Sequence, residues 1–228
     1  METHRPFRYD GTMRKLGLAI MLLLGGASVG AASLTWRLGY TETTLSETCL
    51  DNQLTFSHEG LTCGVRLYSA PTWQVALGYR GTLGKHFVWE TKGEAMVDEY
   101  GSVLDTEATI GPKGRLRHFY GGLTLGAQAM ARFHEDMDKP LVNLNLAAHL
   151  WLGAVYGPVD FCLSYDSSTL FLYAYQWLSP IITLDMHYQI DDWWSITLTE
   201  TARFTDAAPN ELASCTLIGF SIAATRRF

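Results

Sequence analysis

Charge is the scarcest resource in this chain. Asp, Glu, Lys and Arg together make up 18% of its 228 residues, against 47% hydrophobic ones, and the formal net charge is −6. The basic stripe that a nucleic-acid binder needs is missing, so nucleic acid is excluded as a partner. Long apolar runs are missing too. Beyond residue 33 no stretch approaches the ~18 uncharged apolar residues of a spanning helix, so a helical membrane protein is excluded. Metal-ligand spacing is also absent among the histidines His4, His58, His86, His118, His134, His149 and His187. The acidic segment from His134 to Asp138 reads as a solvated turn. No metal, cofactor or catalytic residue is therefore expected. Gly219 to Ala223 has the outline of a nucleophile elbow but lies in a strand pattern with no helix after it. The His-x-Ser element of outer-membrane lipid A deacylases is absent as well, and an enzyme is not expected.

The N-terminus carries an address. Arg14 and Lys15 form a short basic segment, and Leu16 to Val29 follows without a charge. Small residues come next, with Val29 and Ala31 spaced for signal-peptidase cleavage after Ala31 or Ala32. Residues 1–32 are read as an upstream extension plus cleavable signal peptide, and residues 33–228 as the exported domain. No cysteine stands near the cut for a lipid anchor.

That domain alternates with period two. Leu34, Trp36, Leu38 and Tyr40 are apolar, with Thr35, Arg37, Gly39 and Thr41 between them. The same pattern runs through Trp73–Tyr79, Phe119–Ala131, Val142–Tyr156, Ile182–Ile190, Trp194–Leu198 and Ile218–Ala224, and more weakly through Thr62–Ser69. The polar sides hold Gly, Ala, Ser, Thr, Asn and Gln with scattered Arg, and little Lys or Glu. Such residues suit a narrow lumen better than a solvated face. Tyr40, Tyr79, Tyr156, Tyr188 and Trp194 end apolar runs as interfacial girdles do. The expectation is an all-β, antiparallel transmembrane β-barrel in the cell outer membrane, with outer-membrane lipid around it.

About eight strands are counted this way, each near the ~9–11 residues of a tilted membrane strand. With both termini periplasmic, long extracellular loops are expected at Thr43–Leu61, Leu83–Gly114, Gly157–Pro180 and Thr205–Ser214. Short periplasmic turns are expected at Ala70–Thr72, Phe133–Pro140 and Asp191–Asp192. Val159–Tyr165 and Thr169–Trp177 are strand-like themselves, and as an added hairpin would raise the count to ten. Cys49, Cys63, Cys162 and Cys215 fall in or beside these loops, either as two disulfides of unspecified pairing or as free thiols.

Parity places Arg37, Arg66, Arg80, His149, Trp151, Asp185, His187, Arg132 and Arg227 inward. They either close the interior with ion pairs or line a path for solutes. Trp151 is the candidate constriction, set in the outer half of its strand, with a filled core as the other reading.

The last strand carries alternate Phe220, Ile222 and Ala224 and ends at Phe228, the pattern of an outer-membrane assembly signal read by the barrel assembly machinery. Arg226 departs from the apolar residue usual there. With a mature length near 196 residues and the Arg227-Phe228 close, the chain resembles the OmpW/AlkL family. That resemblance implies an eight-stranded barrel whose narrow lumen passes small hydrophobic molecules. The alternative is a closed structural or adhesive barrel that meets host or surface ligands through its loops.

Overall fold

The computed structural model describes residues 32–43, 48–69, 72–98, 101–134, 139–167, 181–205 and 214–228. The signal-peptide segment and residues 135–138 lie outside them. The described residues form twelve strands: β1 (Ala32–Thr43), β2 (Thr48–His58), β3 (Leu61–Tyr68), β4 (Trp73–Leu83), β5 (Phe87–Asp98), β6 (Gly101–Leu116), β7 (Phe119–His134), β8 (Leu141–Tyr156), β9 (Val159–Asp166), β10 (Ile181–Gln189), β11 (Trp194–Thr205) and β12 (Ser214–Arg227). Each pairs with its sequence neighbours, and β12 returns to pair antiparallel with β1, closing the barrel.

The expected eight or ten strands are therefore corrected to twelve. β2, β5, β6 and β9 lie in stretches read as external loops. β5 and β6 were hidden by their charges: Glu90, Lys92, Glu94, Asp105 and Glu107 alternate with Trp89, Thr91, Gly93, Leu104 and Thr106. Charge on every second residue of a barrel strand marks the lumen, not a loop. Missing β2 also reversed the direction assigned to β3. As a result, residues 69–72 and 135–140 join strands at the end opposite the termini.

Tight turns gather at the end that carries the termini. Glu59 and Gly60 join β2 to β3 with both φ angles positive, at 47° and 88°, as a two-residue hairpin of matching twist requires. Arg117-His118 and Gly157-Pro158 make the β6–β7 and β8–β9 turns, and residues 84–86 the β4–β5 turn. Before β11, Asp191 Oδ1 accepts hydrogen bonds from the backbone N–H groups of Trp193 and Trp194 at 2.8 and 2.7 Å.

The molecule is apolar outside and polar inside. On β8, Leu144, Leu146 and Leu152 are 81%, 63% and 59% exposed, while Ala147 between them is buried. The fully buried side chains include Gln128, Thr124 and Ser195 alongside Met130 and Val88. A water-soluble sandwich would reverse this distribution; a barrel surrounded by hydrocarbon demands it.

Candidate functional site

Contacts between strands that are not neighbours identify the inner face, because only the lumen brings them together. The Arg80 guanidinium on β4 lies over the Trp151 ring on β8, 5.3 Å from its centroid, within the range of a cation–π contact. Arg80 also pairs with Glu90 on β5 at 2.8 Å. Gly122 on β7 makes room for the indole, since a Cβ there would meet the Trp151 ring and the Pro112 carbonyl. Together Arg80 and Trp151 bridge the lumen. They sit in the half of the barrel nearer the termini, because β8 runs toward that end; Trp151 is thus not in the outer half where the sequence had set it.

A polar belt runs along β2 to β9, on the side of the bridge away from the termini. Arg66 Nε donates to Asp51 at 3.0 Å, and its Nη1 reaches the Tyr68 hydroxyl at 3.3 Å. Tyr68 donates to Gln74 at 2.8 Å, and Gln74 donates to Glu94 at 2.8 Å. Lys92 pairs with Glu94 at 2.6 Å. Across β6 to β9 the belt continues through His149, whose Nε2 meets Glu107 and whose Nδ1 lies 3.3 Å from Asp166. Each ring nitrogen of His149 thus faces a carboxylate, an arrangement that suits an imidazole donating from both nitrogens. The Glu107–His149 contact skips β7 at the level of Gly126, which register places between Thr109 and Ala147. A Cβ there would meet the backbone of Ala108 and Thr109 on β6.

The third part of the wall, from β9 round to β2, is rich in hydroxyls. Arg37 donates to Ser221 at 2.7 Å, Thr199 to Asp185 at 2.6 Å, and His187 Nδ1 lies 2.9 Å from Thr197 Oγ1. Arg132 lies near the far end of β7, opposite Val103 and Leu141. Arg227 is exposed beside Ser33 at the termini end.

Among the described residues, three adjoining cavities lie in the lumen. The largest, about 720 Å³, contains the Arg80–Trp151 bridge. The second, about 410 Å³, adjoins it at Cys162 and is lined by the hydroxyl-rich wall. The third, about 170 Å³, shares Arg37 and Gln53 with the second and reaches Arg66 and Glu94. Glu90, Lys92, Glu94, Asp105 and Glu107 were missed as lumen groups in the sequence for the same reason as β5 and β6, whereas Asp185 was placed inward by parity.

Cys49, Cys63 and Cys162 are free thiols in three separate settings. Cys49 accepts a 3.7 Å contact from Ser69, Cys63 shares the outer face of β3 with Phe56 and Leu77 beside it, and Cys162 faces the lumen. Cys215 lies on β12 with its side chain outside the description. Phe220, Ile222 and Phe228 are about half exposed on the outer surface. The Phe228 N–H donates to the Ala32 carbonyl at 2.9 Å, tying the last residue to the first strand. Arg226, unexpected at its position, is held by cation–π contacts to Trp194 and Phe228.

No protein-family model matches the chain, and a search of curated proteins finds no match. Among solved structures, the chain is similar to the NanC porin, with TM-score 0.60 and 11% identity over 86% of this chain and 100% of that one. The chain shares the closed β-barrel fold of that porin. Looser likenesses are to the KdgM porin in complex with disordered oligogalacturonate (TM-score 0.48, 10% identity, 86% and 99% covered) and to outer membrane protein Omp33 of Acinetobacter baumannii (TM-score 0.43, 12% identity, 87% and 98% covered). At these identities the porin likeness concerns architecture only.

Proposed function

We propose that this chain is an outer-membrane channel for small polar solutes, exported by its N-terminal signal and inserted as a non-enzymatic barrel. The observation that carries the reading is the run of three adjoining cavities, each lined by charged and polar side chains, inside a closed barrel with an apolar outer face. Eight strands leave an interior that side chains can fill, whereas sixteen leave an open aqueous pore. Twelve fall between, wide enough for solutes and narrow enough for one side-chain bridge to matter.

The OmpW/AlkL resemblance suggested hydrophobic solutes and an eight-stranded plan. The larger barrel and its lining argue for a different cargo. Thr35, Thr55, Thr197, Thr199 and Thr225 with Gln53 offer hydroxyl and amide groups along the second cavity, which replace the hydration of a polar molecule and give a hydrocarbon nothing. The apolar surface lies outside, where lipid covers it. In this reading the tight-turn end faces the periplasm and the longer connections face out.

Purified protein reconstituted in planar bilayers should give stepwise conductance, and proteoliposomes should swell in small neutral sugars. A barrel that inserts but neither conducts nor swells would favour the closed surface-interaction alternative.

A further inference from the structure

The largest cavity opens at the termini end between the β4–β5 and β6–β7 turns, and its rim is basic. Lys85 stands in the first turn, and Lys113 and Arg115 near the end of β6. A backbone hydrogen bond from Lys113 N–H to the His86 carbonyl, 2.7 Å, fastens the two rims together. The carboxylates of the same cavity are already engaged, Glu90 by Arg80 and Asp166 by His149. Lys85, Lys113 and Arg115 form no ion pair among the described residues. Among the described residues, folding has therefore gathered three cations around one opening with no ion pair to any of them.

Like charges brought together in this way repel, and a bound anion relieves the repulsion. We propose that this vestibule is a binding site for small dianions, namely phosphate-bearing or dicarboxylate solutes, captured at the termini-end mouth before or after they pass the Arg80–Trp151 bridge. A single carboxylate would leave most of the positive charge unanswered, whereas two negative charges, on one phosphate group or on two carboxylates, answer more of it. The far side of the lumen shows no such excess: its belt alternates Asp51, Arg66, Glu94 and Lys92 in mutual contact. Capture should therefore be one-sided.

This inference rests on the channel reading, and the experiment separates the two. In planar bilayers, inorganic phosphate and succinate are added to one chamber at a time while potassium chloride current is recorded. Wild type should be anion-selective and should be blocked by either dianion from the termini side; the more potent of the two identifies the preferred headgroup. In the triple variant Lys85→Gln, Lys113→Gln, Arg115→Gln the blocking concentration should rise by about tenfold or more. Selectivity should fall toward that of free solution. Swelling in a neutral sugar reports that the variant still folds and conducts, and the charge-conserving pair Lys85→Arg, Lys113→Arg should keep the block. Unchanged block and selectivity in the triple variant would overturn the proposal, as would a conducting wild type that no dianion blocks. If the variant instead loses only co-purifying phosphatidylglycerol, the rim is a lipid-headgroup surface and the solute site is refuted. No current from wild type at all would sink the channel reading itself.

Discussion

His149 offers the sharpest test of what holds the lumen together. Its imidazole stands between Glu107, whose side chain is 6% exposed, and Asp166, which is 34% exposed. His149→Leu removes the cation and leaves both carboxylates behind. Stranding one partner of a buried pair costs about 3–5 kcal/mol. Asp166 is wet enough to recover hydration, so most of the loss falls on Glu107, whose register neighbour Lys92 offsets part of it. The expected net loss is about 2–4 kcal/mol. Adding Glu107→Leu to His149→Leu should recover much of it, because the buried charge is then gone. The assay is denaturant unfolding in detergent micelles, followed by the heat-modifiable gel shift of the folded barrel. A loss for His149→Leu below about 1 kcal/mol, the range of exposed pairs, would show that the contact is a surface-like pairing. So would a double variant no more stable than the single one.

Three further outcomes are expected. Trp151→Ala removes one half of the bridge over Gly122 and should raise single-channel conductance, while costing stability by roughly 1–3 kcal/mol through lost packing and cation–π contact; reduced or unchanged current would remove Trp151 as the constriction. Leu150→Arg, in the middle of the exposed run on β8, should destabilise the inserted barrel by about 2–4 kcal/mol as a cation on the lipid face, whereas a neutral result in a bilayer-refolding assay would mean that this face does not meet hydrocarbon. Deleting Phe228 removes the Phe228–Ala32 hydrogen bond and the aromatic partner of Arg226, and should lower the yield of heat-modifiable, membrane-inserted protein in fractionation; normal insertion would show that the terminal residue is dispensable.

The barrel class was legible because hydrocarbon enforces alternation wherever the outward residues are large. β8, with Leu144, Leu146, Leu150 and Leu152 outward, could be read directly. β5 could not, because Thr91, Gly93 and Ala95 are its outward residues and the charges between them catch the eye. The inward cations Arg37, Arg66 and Arg80 follow from parity alone. The contacts Arg80–Trp151 and Glu107–His149 do not, because they join strands that only a closed barrel brings together. Counting charges at every second position, with either sign allowed, would have exposed β5 and β6.

The seam between β1 and β12 runs from Ser33 opposite Arg227 to Thr43 opposite Leu217, joining the first and last of the described strands. Nothing can substitute for it while synthesis is under way: every incomplete chain has two raw edges, each able to recruit a stranger's backbone. Such a protein cannot mature piecemeal from its N-terminus as a soluble domain can. Closure waits on β12, so any state short of it leaves the backbone of two strands open at once, and the last pairing settles both edges together.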